Sequence, residues 1–75
     1  MKKIDKIKFL EIIKIALNIN YKINLSTSIS DIKEWDSVNN IKIILSLNKN
    51  LKKEIQFHNL NNIKKIQDLF LFYKK

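Results

Sequence analysis

Glycine, proline, cysteine and arginine are all missing from this chain of 75 residues. Without cysteine there is no disulfide framework and no thiolate from the chain itself. Without glycine there is no glycine-rich phosphate loop, and a left-handed backbone position falls to another residue, asparagine being the most tolerant. Histidine occurs once, at His58, so a paired-imidazole metal site is excluded. No apolar run reaches the roughly 18 residues of a membrane span. The start, Met1-Lys2-Lys3-Ile4-Asp5-Lys6, lacks the apolar stretch and cleavage site of a signal peptide. The expected location is therefore the cytoplasm.

What is present is lysine, isoleucine and asparagine in abundance, the residues that AT-rich coding favours together. All 15 basic residues are lysine, and the formal net charge is +8. Such a surface is either a general lysine coat or the footprint of an acidic partner. Nucleic-acid binders commonly grip phosphates with arginine forks, so the missing arginine favours the coat. The length allows one domain, residues 1–75, with a core small enough to need close helix packing.

Hydrophobic spacing predicts a first helix with Ile4, Ile7, Leu10, Ile13 and Leu17 on one face, widened by Phe9 and Ala16. Asn18 and Asn20 are its expected stop. From Ile19 to Leu25 apolar and polar residues alternate, which fits a strand or a long loop laying alternate side chains on helices. Ser26-Thr27-Ser28 reads as a loop. Asp36 is expected to cap a second helix that ends near Asn50. Its core stripe is read as Val38, Ile41, Leu45 and Asn48, broadened by Ile44 and Leu47, with Ile43 near the edge. Leu51 to Gln56 looks irregular. Phe57 to Asn61 is expected to make one short helical turn with Leu60 inward. A last helix is expected over about Ile66–Tyr73, with Ile63, Ile66, Leu69, Phe70 and Tyr73 on its apolar face, Asp68 in its first turn and a frayed end at Tyr73, Lys74 and Lys75.

The stretch Ile32-Lys33-Glu34-Trp35-Asp36-Ser37-Val38-Asn39-Asn40-Ile41 resembles the loading motif of the acyl carrier protein family, whose usual core is Asp-Ser-Leu. Val38 stands in place of the leucine. Ile44-Leu45-Ser46-Leu47 is similar to the family's apolar run, and Leu60 to Leu69 to its closing segment. The resemblance implies an all-α, small four-helix bundle of acyl-carrier type, with a long loop between helices 1 and 2 and a short helix 3. It further implies that Ser37 receives 4′-phosphopantetheine from coenzyme A through a phosphopantetheinyl transferase, with Asp36 capping the helix and presenting the serine. Such a chain is a carrier and not an enzyme. It shuttles acyl or aminoacyl groups as thioesters in fatty-acid synthesis or in a dedicated acyl, glycan or secondary-metabolite pathway. Val38, Ile41, Ile44, Leu45 and Lys42 are the candidates for an acyl pocket or a partner face.

This chain departs from the family in charge. Acidic residues usual on the second helix are absent, and Lys42 and Lys49 stand among neutral residues. Partners with neutral or acidic docking faces are expected, since like charges cost affinity and on-rate. Lys52 replaces a common glycine, Lys53 an apolar residue and Gln56 a common proline, which puts the geometry after the second helix in question. The lone Trp35 is expected to pack on the core, His58 to lie on the surface or cap the short helix, and Lys64 and Lys65 to form a solvated turn. The chain is expected to be monomeric. The alternative reading is a small, basic, winged-helix-like nucleic-acid-binding module. It needs strands at Ile19–Leu25 and Glu54–Phe57.

Overall fold

Asp5 opens the first helix by accepting a hydrogen bond from the Ile7 N–H at 3.0 Å, which satisfies one of the free donors of a helix start. The computed structural model describes residues 5–56 and 63–74. Helix α1 spans Lys6–Leu17, a 3₁₀ turn spans Ile29–Asp31, α2 spans Ser37–Leu51 and α3 spans Ile66–Lys74. The described residues are thus mostly helical and hold no strand. Their one ladder-like pairing is an isolated bridge between Ser28 and Lys65. The anticipated short helix at Phe57–Asn61, together with His58 and Leu60, lies outside the described residues, as do Ile4 and Lys75.

Helix α1 ends as asparagine chemistry predicts. Asn18 adopts the left-handed conformation at φ 56°, and its N–H donates to the Ile15 carbonyl. Helix α2 ends the same way at Lys52, φ 55°, with the Lys52 N–H bonded to the Asn48 carbonyl. Lysine here occupies a conformation that glycine takes without steric cost. The turn is therefore made without glycine, at some strain.

The core is built by Phe9, Ile12, Ile13 and Leu17 of α1, by Ile43, Ile44 and Leu47 of α2, and by Ile66, Leu69 and Tyr73 of α3, with Ile23 and Ile32 added by the long loop. Phe9 sits at the centre, edge-on to Phe70 with ring centroids 5.0 Å apart and tilted against Tyr73 at 5.8 Å. Such pairs add to simple area burial. The Cα radius of gyration is 11.3 Å, about what a close-packed domain of this length has.

Two expectations from periodicity are corrected. Ile7 points to solvent while Phe9 and Ile12 face inward, so the buried stripe of α1 is rotated from the one expected. On α2, Val38, Ile41 and Leu45 are exposed and Ile43 is wholly buried, so the core face lies on the opposite side of that helix. Tyr73 lies on the apolar face of α3 as expected, but the end there is held and not frayed: the side chain is fully buried, and its hydroxyl donates to Asn48 Oδ1 at 2.9 Å. The Asn48 side chain also accepts from the Ile55 N–H and donates to the Ile55 carbonyl. One amide thereby ties the segment after α2 to α3.

The stretch from Ile19 to Leu25 is loop, not strand. Ile23 is buried and Ile19 and Leu25 are half-buried against the helices. The loop then caps α3, whose Ile66 and Gln67 N–H groups donate to the Thr27 and Leu25 carbonyls. Asp68 folds back to accept from the Lys65 and Lys64 N–H groups at 3.0 and 3.1 Å. Those bonds hold its carboxyl below the usual range. The Lys64-Lys65 turn is therefore exposed in its side chains but tied down in its backbone.

Candidate functional site

The candidate site is the N-terminus of α2. Asp36 has extended backbone angles and its Oδ1 accepts from the Asn39 N–H at 2.8 Å. That is the side-chain cap expected of the sequence. Ser37 is the first helical residue. It is exposed, and its hydroxyl makes no hydrogen bond to any of the described residues. A serine so placed is open to a macromolecular reagent, and a negatively charged group on it would lie at the positive end of the helix dipole.

The segment leading into Ser37 is held from several sides. The Trp35 indole N–H donates to Asn40 Oδ1 at 3.0 Å, and the Asn39 side-chain amide donates to the Glu34 carbonyl at 2.7 Å. The Glu34 carboxylate in turn accepts from the Tyr21 hydroxyl of the long loop. This hydrogen bond lowers the Glu34 pKa and raises that of Tyr21. Trp35 is half-buried and packs against the core, as expected. Together these bonds fix the backbone on both sides of the serine while leaving its hydroxyl clear.

Asn39, Asn40 and Tyr21 are the supporting residues that sequence reasoning missed. Two consecutive asparagines in the first turn of an otherwise apolar helix were the available signal, because asparagine side chains there commonly bond back to neighbouring backbone.

An open groove of about 520 Å³ begins at Ser37. It is lined by Ile29, Trp35, Asp36, Ser37, Asn40 and Ile63. A second groove of about 530 Å³ adjoins it and is lined also by Ser28, Ser30, Ile32, Lys33 and Lys64. Trp35, Ile29 and Ile63 form a shared wall. Among the pocket and partner candidates, Ile44 is buried in the core, whereas Val38, Ile41, Lys42 and Leu45 are at the surface. The structure therefore separates these residues into two groups that serve different ends.

No family model, curated protein or solved structure matches this chain. No helix among the described residues is long and apolar enough to cross a membrane.

Proposed function

We propose that this chain is a carrier of the acyl-carrier type, a four-helix bundle in which Ser37 bears 4′-phosphopantetheine. The reading is carried by one observation. Ser37 heads α2 with an exposed hydroxyl that no described residue hydrogen-bonds, while Asp36, Asn39 and Asn40 hold the surrounding turn. The resemblance of the Trp35-Asp36-Ser37 stretch to the family's loading motif supports it.

The residues present fit the group. No described side chain bonds to the serine oxygen, so a phosphodiester displaces nothing there. The groove bounded by Ile29, Trp35 and Ile63 gives the arm a surface to lie on. In loading, Ser37 Oγ forms a bond to the β-phosphorus of coenzyme A, and adenosine 3′,5′-bisphosphate leaves. The hydroxyl proton passes to the transferase, which supplies the base. Asp36 is engaged with the helix backbone and serves as cap and presenter, not as that base. When bound, the group supplies a mobile thiol that carries an acyl or aminoacyl unit as a thioester. The chain's own contribution is a rigid, solvent-facing anchor.

The test is the intact mass of the protein after incubation with coenzyme A and a broad-specificity phosphopantetheinyl transferase, beside Ser37→Ala. A gain of one phosphopantetheine on the wild type alone is expected. No gain with several transferases on folded protein would overturn the reading, and salt-dependent nucleic-acid binding would then be measured next.

A further inference from the structure

Helix α2 carries an apolar stripe that the fold does not use. Val38, Ile41 and Leu45 are 74%, 47% and 58% exposed. Their spacing of three and four places them on one face, starting directly beside Ser37. Lys42 and Lys49 fall on that same face, within an arc of about 100° that also holds the three apolar residues. Both lysines are exposed. From Ser37 to Lys53 the chain has no aspartate or glutamate. The flanking acids are Asp36, whose carboxylate is turned onto the Asn39 N–H, and Glu54, which lies beyond the end of α2 at Leu51.

Exposed isoleucines elsewhere stand singly, as Ile7 and Ile15 do on α1. Single exposed apolar residues are ordinary, but a contiguous set bordered by charge of one sign has the make-up of a docking surface. An apolar centre gives affinity, and the charged border selects the partner by complementarity. A lysine border facing a basic partner would be repulsive, whereas a carboxylate border is attractive and speeds encounter.

We propose that the face formed by Val38, Ile41, Leu45, Lys42 and Lys49 docks onto a protein whose binding site is an apolar socket bordered by aspartate and glutamate. This inference rests on the carrier reading of Ser37 for its occupant, an enzyme that loads or unloads the arm. The stripe begins at the serine, so a partner seated on it has the arm's anchor at its edge. An anionic lipid surface is the competing occupant for a basic, apolar face. It is disfavoured because binding to lipid scales with buried apolar area, and this stripe offers three side chains.

The experiment maps amide shifts of the isotope-labelled full chain, before and after loading. It is titrated with two synthetic helical peptides that share one leucine stripe, bordered in one by glutamate and in the other by lysine. Vesicles of phosphatidylcholine containing a quarter phosphatidylglycerol form the third arm. The glutamate peptide is expected to bind at least about tenfold more tightly than the lysine peptide, with shifts confined to α2 between Val38 and Lys49. The double variant Lys42→Glu, Lys49→Glu should reverse that preference, and Ile41→Asp should weaken both peptides. All three positions are exposed, so circular dichroism should show the variants folded. Equal affinity for the two peptides, shifts spread over the whole lysine coat, or tighter binding to vesicles than to the glutamate peptide would each overturn the inference. A chain loaded at Ser37 without the peptide preference would refute this inference and leave the carrier reading standing. A chain that is never loaded but keeps the preference would refute the carrier reading and leave the docking face standing.

Discussion

Lys52 should be a stability defect, and replacing it with glycine should make the protein more stable. Its backbone sits at φ 55°, ψ 48°, closing α2 in the left-handed conformation. That conformation costs an ordinary L-residue about 1–2 kcal/mol, because Cβ crowds the following carbonyl oxygen. Glycine escapes this cost but loses more chain entropy on folding, about 0.5–1 kcal/mol. The net gain expected for Lys52→Gly is about 0.5–1 kcal/mol, or a rise in Tm of about 2–8 °C for a domain of this size. The assay is thermal and urea unfolding followed by circular dichroism, with Lys52→Ala as the essential control. Alanine removes the charge but keeps Cβ, so it should gain nothing from the backbone. Asn18→Gly should gain less than Lys52→Gly although Asn18 has almost the same angles, φ 56°, ψ 45°, because asparagine already tolerates them. If Lys52→Ala stabilised as much as Lys52→Gly, the gain would come from relief of lysine repulsion and the strain argument would fail.

Asp36→Ala should lower stability by about 1 kcal/mol through loss of the cap to the Asn39 N–H, read by urea unfolding. It should also slow loading of Ser37 by the transferase, whereas Ser37→Ala should abolish loading and leave stability nearly unchanged. On the alkaline side, burial pushes the Tyr73 pKa up to about 12. The unfolded chain ionises near the ordinary value of 10.0, so the stability held by the neutral phenol is complete below that pH and is lost as pH rises from about 10 toward 12. Unfolding free energies across that window should fall more steeply for the wild type than for Tyr73→Phe; parallel curves would refute a buried phenol.

Much of the local architecture was legible from single residues. Asp36 as the cap of α2 and Asp68 in the first turn of α3 depend on side chains bonding to backbone within a few residues, and Asn18 as the stop of α1 depends on a left-handed backbone whose N–H bonds to the Ile15 carbonyl. Such interactions are decided inside one turn of chain, and the residue type is enough to expect them. Ser37 was singled out on the same local grounds. The exposure of its hydroxyl, by contrast, depends on where Trp35, Asn39 and Asn40 place their polar groups.

The orientation of each helix was not legible in that way. Helix α2 is apolar around most of its circumference, so a helical period fits several faces equally and none is singled out. Packing against α1 and α3 decides it, burying Ile43, Ile44 and Leu47 and leaving Val38, Ile41 and Leu45 in solvent. The alternation from Ile19 to Leu25 is equally common to a strand and to a loop lying on helices. Among the described residues no strand offers it a pairing edge, and the Leu25 and Thr27 carbonyls accept instead from α3, which makes it loop. Tyr73 looks terminal in one dimension, yet Phe9 and Asn48 enclose it in three. The sequence by itself determined the stop of α1, the start of α2 and the start of α3, because such caps and stops are short-range hydrogen bonding. The tertiary structure alone decided which faces are buried, because that choice minimises exposed apolar area over the whole molecule and has no local signature.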